Sequence, residues 1–84
     1  MATSRIQFDM DDAFVEDITK KMELTGITSR KQYFEYSLAL FDWALRQSIS
    51  GKLITALDEV NNSYKEISMP PLERVRNNSN AVIP

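Results

Sequence analysis

Polar and apolar residues alternate strictly over positions 4–10, Ser-Arg-Ile-Gln-Phe-Asp-Met. This period of two predicts a β-strand with Ile6, Phe8 and Met10 on one face and Arg5, Gln7 and Asp9 on the other. It is the only alternating segment in the first half of the chain, and a lone strand leaves its backbone donors and acceptors without partners. The period then changes. Phe14, Ile18 and Met22, with Val15 beside them, form an apolar stripe at helical spacing. Asp11 stands at the N-cap position, and Met10 and Val15 occupy the two positions of a hydrophobic staple. Asp12, Glu16 and Asp17 lie toward the positive end of the helix dipole, and Gly26 is the expected stop.

A second helix is predicted to open at Thr28-Ser29, where Ser29 and Gln32 fit a capping box. Its body is unusually apolar. Phe34, Leu38, Phe41 and Leu45 make one stripe, Tyr33, Leu40 and Ala44 another, and Tyr36 and Trp43 narrow the polar seam further. A surface helix of a small monomer needs one buried face. A helix apolar most of the way round points to a subunit interface.

After Gly51 two readings compete. Lys52–Leu57 and Tyr64–Met69 can be two short strands around a turn over 59–63, with Pro70-Pro71 ending the second. Ile49, Leu53, Leu57, Val60 and Tyr64 also fit a helical stripe, but Gly51 costs a helix about 1 kcal/mol relative to Ala, which favours the hairpin. The chain thus divides into a core over 1–50, an extension over 51–72 and a tail over 73–84. The Asn/Ser-rich composition from Arg76 onward predicts disorder in that tail.

With 84 residues, the chain has room for one small domain. It contains neither histidine nor cysteine. That excludes disulfides, thiolate metal sites, a cysteine nucleophile and the commonest general base. Ser29 has no base to activate it, and the inventory argues against an enzyme, a metal site or a cofactor. Asp11-Asp12 reads as a helix start, since no third ligand sits at a fixed spacing. Lys20-Lys21 reads as a solvated face. Ten Lys+Arg against twelve Asp+Glu give a net charge of −2, which opposes indiscriminate polyanion binding. The opening residues have no signal-peptide pattern and the most apolar run, Tyr33–Leu45, is too short to cross a bilayer. A soluble cytoplasmic protein with no membrane partner is expected.

Strand, helix, glycine turn and helix within about 45 residues is an order similar to that of the ribbon-helix-helix family of DNA-binding proteins. The resemblance is carried by Arg5–Asp11 as the ribbon, Gly26-Ile27-Thr28-Ser29-Arg30-Lys31 as the turn, and Ser37–Leu40 in the second helix. The later segments Trp43-Ala44-Leu45, Gly51–Ile54 and Tyr64–Pro70 resemble an extension found in uncharacterised bacterial members. The resemblance implies a mainly α fold: an intertwined two-fold homodimer whose strands pair into an intersubunit antiparallel ribbon, followed here by the C-terminal hairpin. A two-fold dimer also closes both loose ends of the chain, the unpaired strand and the over-apolar helix. Ile6, Phe8, Met10, Phe34, Leu38, Phe41 and Leu45 are its expected interface.

In the family the ribbon enters the DNA major groove. The resemblance therefore implies that Arg5, Gln7 and Asp9, with Thr3 beside them, read base edges, and that Thr28, Ser29, Arg30 and Lys31 hold a phosphate. Double-stranded DNA is the implied partner and transcriptional repression the implied role. Asp9 departs from a basic ribbon: it can accept from a cytosine amino group, and otherwise it repels phosphate. The competing reading is an antitoxin-like interaction dimer with weak or lost DNA binding. It rests on the acidic balance and on residues 51–72 as a surface for a protein partner. On either reading the tyrosines, phenylalanines and tryptophan of the second helix are core and interface, not a base-stacking platform.

Overall fold

The computed structural model describes residues 2–78. Among the described residues the protein is mainly helical, with three helices and one two-stranded antiparallel sheet in the order α1 (Asp12–Thr25), α2 (Arg30–Ile49), β1 (Thr55–Asp58), β2 (Ser63–Glu66) and α3 (Pro70–Asn77). It divides into two compact units, Met1–Glu35 and Tyr36–Pro84. The division falls within α2.

In the first unit, α1 begins and ends where the sequence places its signals. Asp11 occupies the N-cap position, although its side chain makes no capping hydrogen bond. Met10 and Val15, the staple pair, are both half-buried. Gly26 adopts the left-handed conformation at φ 74°. Its N–H donates to the Glu23 carbonyl (3.4 Å), and the Ile27 N–H donates to the Met22 carbonyl (3.0 Å), which completes a Schellman close. Two exposed ion pairs one turn apart, Lys20–Glu16 and Lys21–Asp17, line the outside of the helix. The hydrogen bond from Asp17 holds the Lys21 ammonium above its ordinary pKa. Ile18 is the buried residue of α1.

The strand expected over 4–10 does not form in the single chain; residues 2–11 carry neither helix nor strand. No backbone group of residues 2–10 has a hydrogen-bond partner among the described residues. The reason is physical: a strand exists only as half of a ladder, and the one ladder among the described residues is β1–β2.

The start of α2 follows the capping-box prediction in part. The Gln32 N–H donates to Ser29 Oγ at 3.1 Å, a cap worth about 1 kcal/mol. The reciprocal Gln32 side-chain bond is not made. At the other end Gly51, at φ 85°, closes the helix as Gly26 closes α1: the Gly51 N–H donates to the Ser48 carbonyl and the Lys52 N–H to the Gln47 carbonyl.

In the second unit the hairpin reading prevails over the helical stripe. Thr55↔Glu66, Ala56↔Lys65, Leu57↔Tyr64 and Asp58↔Ser63 are in register, and the Ile67 N–H extends the ladder to the Ile54 carbonyl at 2.9 Å. The turn is tied by Asp58, whose carboxylate accepts from the backbone N–H (3.2 Å) and the side-chain Nδ2 (2.8 Å) of Asn61. These bonds hold the Asp58 carboxyl below its ordinary pKa. A depressed folded-state value means the turn's contribution is complete above the ordinary carboxylate range and is lost as pH falls through the lowered value. The protection of hairpin amides against exchange is therefore expected to fall as pH drops below the ordinary carboxyl value of 3.8. Asp58→Ala should impose the same loss of protection at neutral pH. Amide exchange at Ala56 and Lys65, a hydrogen-bonded pair of the ladder, measures both effects.

The predicted tail is corrected over its first residues. Pro70 and Pro71 do not merely end a strand; they occupy the first two positions of α3, where a missing N–H costs nothing. Residues 73–77, expected to be disordered, complete that helix, and its Leu72 is buried. The remainder of the expected tail, residues 79–84, lies outside the described residues.

Candidate nucleic-acid interface

The first unit contains a hollow of about 540 Å³ lined by Ile6, Phe8, Asp9, Met10, Val15, Ile18, Arg30 and Phe34. Three of these are the apolar members of the alternating segment; two come from the inner stripe of α1 and two from the start of α2. Phe34 is fixed by an edge-on contact with Tyr33, ring centres 5.7 Å apart. The apolar lining is only half covered: Ile18 is 4% exposed, whereas Ile6 and Phe8 are 76% and 72% exposed. Side chains of that size at that exposure each forgo about 1.5–3 kcal/mol of burial.

Of the expected base readers, Arg5 and Gln7 are exposed and make no contact with a described acid. Asp9 stands apart from them. It lines the hollow, as does Arg30, and the two do not come within ion-pair distance. The alternation thus separates Arg5 and Gln7 from the apolar side as expected, but does not group Asp9 with them.

Of the expected phosphate residues, Ser29 spends its hydroxyl on the Gln32 cap. The backbone N–H groups of Arg30 and Lys31, at the first two positions of α2, have no acceptor among the described residues. They stand at the positive end of the dipole of a helix 20 residues long. Lys31 is engaged with Glu35 at 3.8 Å, both well exposed, which weakens its free charge only slightly. Arg30 is unpaired, and with Arg5 it is the more available cation of the first unit.

The expected interface residues of α2 divide. Phe34 and Leu45 are half-buried, and Leu38 and Phe41 are exposed. The sequence reading missed a second feature of this helix: Tyr36, Leu40 and Trp43 are all more than half exposed as well. Their i, i+4, i+7 spacing is a helical stripe in its own right, a signal masked by the surrounding apolar residues.

No helix among the described residues is long and apolar enough to cross a membrane. Compared with family models, with curated proteins and with solved structures, the chain matches none.

Proposed function

We propose that this protein is a homodimeric, sequence-selective DNA-binding regulator of the ribbon-helix-helix type, acting as a transcriptional repressor. The observation that carries the reading is the half-covered hollow of the first unit: an alternating segment with unpaired backbone groups presents Ile6, Phe8 and Met10 beside Ile18 and Phe34. A second copy related by a two-fold axis supplies what both features need, a partner strand for residues 4–10 and apolar cover for the hollow. Phe34, Leu38, Phe41 and Leu45 continue that interface along α2. In such a ribbon the polar side chains Arg5 and Gln7 point away from the core in two copies. Both can make bidentate contacts, Arg5 with guanine and Gln7 with adenine. The free amides of Arg30 and Lys31 then hold a phosphate on each flank.

DNA binding measured over a salt series tests the reading. A duplex from upstream of the protein's own coding frame is compared with a random duplex. The expected plot of log affinity against log salt is linear with a negative slope of about 0.9 per phosphate neutralised. Asp9→Asn removes two carboxylates from the dimer, each worth about 1 kcal/mol against a phosphate at contact distance in water. Together these should raise affinity about thirtyfold at low salt. A flat salt plot would take DNA out of the mechanism, and a fall in affinity for Asp9→Asn would make Asp9 a base reader.

A second reading, an antitoxin-like interaction dimer, is favoured by one observation. The hairpin exposes Leu57 and Tyr64 as a cross-strand pair and Val60 at its tip. A protein partner would take this surface, within residues 51–72. Deletion of 51–84 separates the two readings, since it removes partner capture but leaves the ribbon's DNA contact.

A further inference from the structure

The structure exposes an apolar face of α2 that the proposed two-fold dimer does not use. Tyr36, Leu40 and Trp43 are 65%, 66% and 52% exposed. At 3.6 residues per turn this stripe lies roughly 160° around the helix from Phe34/Leu38/Phe41/Leu45, so one helix–helix contact cannot cover both. From this we infer that the Tyr36/Leu40/Trp43 face is a second self-association surface, which takes the same face of another copy in antiparallel orientation.

The choice of occupant rests on the order of residues along the face. A two-fold contact is self-complementary: residue i meets j and j meets i. About a centre between Ala39 and Leu40, Tyr36 stands opposite Trp43, Ala39 opposite Leu40, and Gln32 opposite Gln47. Each aromatic meets an aromatic, a small residue at the centre lets the helices approach, and an uncharged polar residue closes each end. A foreign partner imposes no such symmetry.

The charges agree. The acids and bases of α2 lie away from this face, and apart from Arg30 they pair among themselves, Lys31–Glu35 and Arg46–Asp42, the latter at 3.0 Å. No charge is buried by the contact, and across the rim Glu35 of one copy falls within two residues of Arg46 of the other. Two aromatics and a leucine contribute about 400–500 Å² per copy, which places the contact at the low end of specific interfaces. Association through it is therefore concentration-dependent. The inference borrows from the dimer reading only the stoichiometry: with that dimer and crossing two-fold axes, which close the assembly, the product is a tetramer, and without that dimer it is a pair.

Sedimentation of the full chain over a concentration series tests it, beside Leu40→Glu. The position is exposed and glutamate is a good helix former, so the fold tolerates the change. At high concentration Leu40→Glu should have half the mass of wild type. A drop from tetramer to dimer keeps both contacts; a drop from dimer to monomer keeps this contact and removes the ribbon dimer. Equal masses overturn the inference.

Two further readouts guard against misfolding. Trp43 is the only tryptophan, so its emission should move to shorter wavelength as wild type associates and stay fixed in Leu40→Glu. The chain has no cysteine, so Leu40→Cys should cross-link on oxidation many times faster than Val60→Cys at the exposed hairpin tip. Equal rates overturn the inference regardless of how Leu40→Glu behaves.

Discussion

Ile18→Ala is expected to cost about 3–4 kcal/mol of folding stability. Ile18 is the single apolar side chain of the first unit that is buried among the described residues. Truncating a buried isoleucine to alanine costs about 2–5 kcal/mol, the transfer of the lost methyl groups plus the cavity left behind. At about 0.05–0.15 kcal/mol per residue, a chain of this length has on the order of 4–13 kcal/mol in total. The loss is thus a large share of the whole.

The same experiment reads out association. With so few buried side chains, stability on the proposed reading comes mostly from the second copy, so it depends on protein concentration. Each tenfold increase in total protein should add about 1.4 kcal/mol to unfolding of a two-state dimer. Urea denaturation followed by circular dichroism at two concentrations a hundredfold apart measures this. A midpoint that does not move would mean that the chain folds alone, and the dimer would lose its physical basis.

Local signals in this sequence carry their structure with them. Gly26 and Ser29 bracket the turn between α1 and α2 because a left-handed glycine and an N-cap hydroxyl act within four residues of themselves. The hairpin over 55–66 was favoured only through the cost of Gly51 to a continuous helix; the Asp58 side chain that ties its turn to Asn61 was not read. Two kinds of feature were less legible. Pro70-Pro71 has the same composition as a strand terminator and as a helix start; Leu72, buried in the second unit, accompanies the helix. The ribbon segment is the opposite case. Its alternation is plain, yet the strand is absent from the single chain because its hydrogen bonds require a neighbour that no local pattern supplies. The outer stripe of α2 was hidden by excess: where nearly every position is apolar, periodicity no longer separates two faces, and only exposure distinguishes Leu40 from Ala44.

The net charge of −2 becomes a question of place. In the first unit Lys20, Lys21 and Lys31 are each matched with an acid one turn away. What remains unmatched is Arg5 and Arg30 among the cations, and Asp9, Asp11, Asp12 and Glu23 among the acids, of which Asp9 lines the hollow with Arg30. A dimer doubles each. Such a balance gives little attraction for an arbitrary polyanion and puts most of the affinity for DNA into specific contacts.

Arg5→Ala is therefore expected to have the largest effect on DNA binding of any single substitution. A bidentate arginine–guanine contact discriminates by about 1–3 kcal/mol, and a two-fold ribbon on a palindromic site makes it twice. The expected loss is about 2–6 kcal/mol, at least about thirtyfold in affinity for the preferred site. Affinity for random duplex should fall far less, because only about one phosphate-distance charge per subunit is removed. The informative quantity is thus the ratio of specific to random affinity at one salt concentration, which Arg5→Ala should collapse. Lys31→Ala provides the contrast: its charge is shared with Glu35 and would act on phosphate, so it should weaken both duplexes alike and leave the ratio in place. If Arg5→Ala instead lowers both affinities equally, Arg5 is a phosphate contact and the ribbon does not read sequence through it.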